Sequence, residues 1–170
     1  MLDSISQILN GMLDLIPRET TGDFLFYLTQ LVGYFLLFSM VTYWLHRLAH
    51  NWKPLWYFHS SHHEVSYEGD LEFSWWNLVG WFNSWRATMD AWLTEFSPMI
   101  IMIVIWPASW PMGVLFYLDN MLSEGITDHN PRLDIPGLAM GRHHIQHHID
   151  MSVNFDIYFR LWDRVFGTYS

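Results

Sequence analysis

Cysteine is absent from all 170 residues. That excludes disulfides, thiolate metal sites, iron–sulfur clusters and a cysteine nucleophile, so any metal must be held by nitrogen and oxygen. Positive charge is also scarce. Eight Lys and Arg against seventeen Asp and Glu give a formal charge of −9, mostly solvated acidic surface, with no support for nucleic-acid binding. The G-x-G-x-x-G fingerprint of dinucleotide sites and the H-E-x-x-H of zinc proteases are both missing.

What the chain has instead is apolar surface and imidazole. Hydrophobic residues make up 51%, aromatics 18%, and there are eleven Trp, heavy for one soluble domain of this length. Phe24 to Leu45 runs 22 residues without a charge, enough to cross the hydrocarbon as a helix. It lacks the basic, short-apolar, small-residue pattern of a removable signal peptide. Ahead of it Leu2, Ile5, Ile8, Leu9, Met12, Leu13 and Ile16 recur at helical spacing, which makes residues 1–22 an interfacial amphipathic segment. A second uncharged stretch, Phe96 to Leu118, is broken by Pro98, Pro107 and Pro111. Proline disfavours continued helix, so residues 89–122 are expected to form a membrane hairpin with its tip near Pro107 to Pro111.

The ten histidines are not scattered. His46 and His50 form H-x-x-x-H; His59, His62 and His63 form H-x-x-H-H; His144, His147 and His148 repeat that pattern. Positions i, i+3 and i+4 share one face of a helix, so each box is expected to aim its rings to one side. His129 stands alone in "DHNP", and His143 adjoins the third box. One tetrahedral zinc takes four ligands; eight or nine imidazoles fit two ions. A bis-histidine haem is disfavoured because the boxes begin where the first span ends. A membrane metal binder or transporter, using the clusters for zinc or iron, remains the competing class, and it predicts ionisable residues along a path within the spans.

For boxes two and three to share a site, the segment between them must cross the membrane an even number of times, as a hairpin does. Arg47, Lys53, Arg132, Arg142, Arg160 and Arg164 flank the boxes, while Arg18 lies across the first span. The positive-inside rule then makes the histidine side cytoplasmic. The expected fold class is all-α: an integral membrane helical bundle with a cytoplasmic histidine-rich cap. It is laid out as a transmembrane helix at 24–45, boxes one and two at 46–63, the hairpin, and the third box with a C-terminal cap at 129–170.

The three boxes, with the closing "NFDIYFRLWDRVFGTY", resemble the fatty acid hydroxylase/sterol desaturase superfamily from about Tyr43 onward. The resemblance implies an O2-dependent, membrane-bound, non-haem di-iron oxygenase acting on fatty acyl, sterol or isoprenoid substrates, by hydroxylation or desaturation. It assigns metal ligation to His46, His50, His59, His62, His63, His144, His147 and His148, and extends to His129. A further ligand position falls on Gly125, leaving one place for water, Glu124 or Asp128. Zinc is able to substitute for iron in such sites. Glu64, Asp128, Asp150 and Asn154 are candidates to orient the ligand rings, with His143 beside them. Trp75, Trp76, Trp81, Phe82 and Trp85 are read as an interfacial aromatic belt or the approach for a lipid chain. Relatives often carry four spans and often end where this chain does; a single span before box one implies a surface helix in place of another, or a homo-oligomer. With no redox cofactor of its own, the chain is expected to use a separate electron donor, a ferredoxin or cytochrome with its reductase. A bacterial inner membrane is the expected location.

Overall fold

The computed structural model describes residues 2–64 and 74–170, apart from the side chains of Leu2, Glu124 and Gly125. Helix α1 spans Leu2–Asp14 and α2 spans Thr21–Asn51. The Thr20 hydroxyl accepts from the Asp23 backbone N–H at 3.1 Å and caps α2. Between Asp23 and Trp52 there is neither proline nor a run of charge, so α2 outruns the uncharged stretch and carries on through His46 and His50. At 1.5 Å per residue it is about 46 Å long, against about 30 Å of hydrocarbon. The excess length is the histidine end.

Helix α3, Lys53–His59, starts with Pro54 in its first turn, where a missing N–H costs nothing. The spacing of box two predicted one helical face; the helix stops at His59 instead. His62 and His63 lie on the turn that follows. The Ser61 hydroxyl donates to the Phe58 carbonyl at 2.7 Å, offering the backbone an alternative to continued helix.

Helix α4, Trp85–Ala91, passes through a π-helical turn at Trp92–Phe96 into α5, Ser97–Ile105. The chain reverses at Pro107–Ser109, and α6, Trp110–Leu122, returns beside α5. Tyr27 donates to the Ala108 carbonyl at 2.7 Å and the Trp110 indole to the Met12 carbonyl at 2.9 Å. The hairpin tip, the start of α2 and the end of α1 therefore meet at the end of the bundle away from the histidines. Beyond a second π turn at Ser123–Thr127 come α7, Arg142–Ile149, and α8, Leu161–Phe166. No strand occurs among the described residues; Leu138 and Phe159 form an isolated bridge.

The core ties these pieces together. Phe38 of α2 stacks on Phe116 of α6 at 4.1 Å between centroids, with Phe82, Phe96, Met121 and Tyr158 around them. Between helices whose outer faces are also apolar, such close-packed aromatic contacts hold the bundle by van der Waals packing rather than by escape from water. The outer faces are apolar as well: Phe26 and Val32 on α2, Val104 and Ile105 on α5, and Leu115 on α6 are all exposed. Among the described residues, Thr21–Asn51 and Trp85–Ile105 are long and apolar enough to cross a membrane, and only 17% of the apolar window in each is buried. Such faces look outward, unlike a helix hidden in a soluble core.

Candidate metal centre

Nine histidines converge as two nitrogen-only groups. His46, His50, His59, His63 and His147 form one; His62, His129, His144 and His148 form the other. In the first, His50 Nε2 lies 3.0 Å from His59 Nε2 and 3.0 Å from His147 Nε2, and His59 Nε2 lies 3.1 Å from His63 Nε2. In the second, His144 Nε2 is 2.9 Å from both His62 Nε2 and His148 Nε2, and His129 Nε2 is 3.3 Å from His148 Nε2. Two nitrogens each about 2.1 Å from one ion and at right angles around it stand about 3 Å apart, so the donor spacing fits a metal in each group. The groups adjoin, with the His63 and His148 rings 4.2 Å apart.

The assignment of rings follows a rule of four. Within each box the pair four residues apart serves one group: His46 with His50, His59 with His63, His144 with His148. The remaining histidines, His62 and His147, cross to the opposite group.

Ring orientation is set from behind. His46 Nδ1 is 2.7 Å from the Phe155 carbonyl, His147 Nδ1 is 2.7 Å from the Val153 carbonyl, and His59 Nδ1 is 2.8 Å from Asp90 Oδ2. Each acceptor holds the proton on Nδ1 and leaves the Nε2 lone pair for an ion. His46 Nε2 is buried with no hydrogen-bond partner, as a nitrogen awaiting a metal would be.

Asn154 touches none of these rings. It adopts a left-handed backbone, φ 56°, which asparagine tolerates better than most residues. Its side chain donates to the His143 carbonyl at 3.2 Å and accepts from the Ser170 N–H at 2.9 Å. Pinned there, it presents the flanking carbonyls of Val153 and Phe155 to His147 and His46. Beneath it Asp163, fully buried, accepts from the N–H groups of Phe155 and Asp156 and from the Thr168 hydroxyl. His143 Nε2 lies 3.0 Å from the same carboxylate, so His143 stands outside both groups and braces α7 against the C-terminal cap. Gly141, at φ 66°, starts α7 against the Leu133 carbonyl, where a Cβ would collide.

The other candidates are placed differently. Glu64 reaches Arg86 at 3.6 Å from an exposed position. Asp150 accepts from the Ser152 hydroxyl at 2.6 Å. Asp128 is buried and lines a cavity of about 40 Å³ with His62 and His144; the side chain of Glu124 and position Gly125 lie outside the described residues. His46, His59, Ala87 and Asp90 also face that cavity, which therefore touches both groups. Trp75, Trp76, Trp81 and Trp85 are exposed, whereas Phe82 is buried in the core and at the cavity wall. The sequence reading missed Asp90 as a partner of His59. An ionisable residue within an apolar stretch was the available signal.

Burial sets the charge state. His147 is lowered to about 3, and His63, His144 and His148 are held well below the ordinary imidazole range, first by desolvation and then by neighbouring rings. All four are neutral at pH 7, the form that binds metal. Replacing Asp90 with Asn weakens the His59 tether; the expected result is a 10- to 100-fold loss of metal affinity, measured by competition with a chromogenic chelator, and an unchanged affinity would show the contact to be incidental.

A helical chain that gathers nine imidazoles into two adjoining groups, and that among the described residues has two helices long and apolar enough to cross a membrane, carries a donor set suited to holding metal ions. Its relationships agree with that description. Residues 31–168 match the model of the family described as fatty acid hydroxylase, and the chain belongs to that family. No curated protein and no solved structure is matched.

Proposed function

We propose that this chain is a membrane-bound non-haem di-iron oxygenase that hydroxylates, or desaturates, an unactivated C–H bond of a lipid-like substrate, using O2 and two external electrons. The observation that carries the reading is the pair of adjoining all-histidine groups sharing one cavity; family membership supports it. When bound, a ferrous pair supplies the reduction of O2 and the oxidising power for C–H cleavage. The protein's own part is different. Phe155, Val153 and Asp90 fix the rings, burial keeps them neutral, and the small size of the cavity limits the water beside them.

The cavity has room for a few water-sized molecules. A lipid chain must therefore open the cavity wall, and the small side chains of Ala87 and Ala91 in its lining leave the most room to do so, approached from the apolar outer faces of the bundle. On this reading α2 and the hairpin sit in the bilayer with the histidine end on the cytoplasmic side, in a bacterial inner membrane.

Protein expressed with iron-57 and purified without chelators, then reduced anaerobically and exposed to O2, tests the proposal by Mössbauer spectroscopy. Two irons per chain, magnetically coupled after oxidation and lost in His147→Ala, are expected. One metal or none after anaerobic ferrous reconstitution would sink the di-iron reading and favour a metal binder or transporter. Zinc in a preparation decides nothing, since such ligands bind zinc more tightly than ferrous iron.

A further inference from the structure

A second opening reaches the histidines from another direction. An open groove of about 570 Å³ is lined by Arg47, His50, Lys53, Trp56, Met151 and Phe155, among others, and shares no lining residue with the cavity beside Asp90. The two openings therefore reach the histidines through separate walls.

Three features of the groove point to the kind of occupant. The first is charge. In a chain with a formal charge of −9 and a single lysine, that lysine, Lys53, sits here exposed beside Arg47. Among the described residues neither forms an ion pair. Asp150, next along the chain from Met151, is the nearby opposing charge, and Ser152 donates two hydrogen bonds to it.

The second is rigidity. The Arg47 guanidinium lies over the Trp44 and Phe155 rings at 5.2 and 5.8 Å and donates to the Tyr43 hydroxyl at 3.3 Å. A cation held in place loses little freedom on meeting an anionic partner.

The third is the ring at the groove wall. Trp56 is half-buried, with its centroid 5.2 Å from His50, 5.7 Å from His63 and 6.2 Å from His59. One aromatic side chain thus touches three of the five nitrogens' rings in the first group and also faces the open groove. Electron tunnelling falls steeply with distance and is aided by intervening π systems.

Resting on the oxygenase reading, we infer that the Arg47–Lys53–Trp56 groove is the docking site of an acidic one-electron carrier protein, and that Trp56 is the contact through which its electron passes. Each encounter oxidises the carrier by one electron and reduces the histidine-held metal pair by one; two encounters supply one turnover. An anionic lipid surface would also meet Arg47 and Lys53, but it gives no role to Trp56.

The test uses a small acidic [2Fe–2S] ferredoxin as probe and the full chain in neutral detergent. Zinc-loaded protein is expected to bind the ferredoxin at low ionic strength and release it as salt is raised, with Lys53→Glu weakening binding about fivefold to tenfold. In iron-loaded protein, Lys53→Glu slows stopped-flow reduction by reduced ferredoxin in proportion, while reduction by dithionite-reduced methyl viologen stays at the rate of the unaltered protein. Trp56→Leu keeps ferredoxin binding but slows the reduction several-fold, and Trp56→Phe restores part of it. Absence of salt-sensitive binding, or ferredoxin binding and reduction indifferent to both substitutions, overturns the inference. If neither ferredoxin nor viologen reduces the iron-loaded protein, the oxygenase reading itself has failed; viologen reduction alongside unaltered ferredoxin kinetics in the variants removes only the groove.

Discussion

In an Asp163→Asn variant the C-terminal cap is expected to come undone, with the thermal midpoint in detergent lowered by about 10 °C. The change looks conservative, yet this carboxylate only accepts. Four donors converge on it: two backbone N–H groups, the Thr168 hydroxyl and His143. An amide keeps one acceptor and turns an NH2 toward donors that already point inward. Charge-assisted hydrogen bonds contribute about 1.5–3 kcal/mol each, so losing half the set costs about 4 kcal/mol. Metal affinity falls with it, because the cap carries the Val153 and Phe155 carbonyls that hold His147 and His46. Differential scanning fluorimetry beside zinc titration reads both effects. A midpoint within a degree of the unaltered protein would remove Asp163 from its place at the centre of the cap.

Acid is the second strong lever. Stripped of metal, the protein is expected to lose stability as pH falls from 7.5 to 5. His147 has a folded value of about 3 against an ordinary 6.5, so between those limits the unfolded chain takes up a proton that the folded one refuses, and stability drops as pH is lowered. At pH 5, about 1.5 units below 6.5, that one ring costs about 2 kcal/mol. His63, His144 and His148, lowered for the same reason, act in the same direction. Asp156 opposes them: burial and the nearby Asp163 carboxylate push it up to about 7, so it regains stability as pH falls from 7 toward the ordinary 3.8. One acid does not offset four imidazoles. Bound metal removes the effect until protons displace it. Equal thermal midpoints at pH 7.5 and 5 in chelator-treated protein would contradict the account.

The parts of this molecule that were legible in advance are those written in local spacing. The uncharged run before Leu45 marks α2, and Pro107 with Pro111 marks where the hairpin turns, because each depends on a few neighbouring residues. The nine histidines stand out for the same reason, and the family resemblance read from them agrees with the match over residues 31–168. Their division into two groups was not legible. His62 and His63 are neighbours in sequence but serve different groups, a consequence of where α3 stops and of what α7 brings opposite. Asp90 lies 31 residues from His59, so no spacing rule connects them. Asn154 was singled out as a side chain that orients ligands, and it acts through its backbone turn.

The crossing of His62 and His147 means that neither group belongs to one stretch of chain. Box two lends its four-apart pair to the first group and one ring to the second, and box three does the reverse. Filling either group therefore clamps the turn after α3 to α7, and the clamp brings the other group's rings into position. The first ion in prepares the seat of the second, so loading is expected to be positively cooperative, with half-loaded protein scarce.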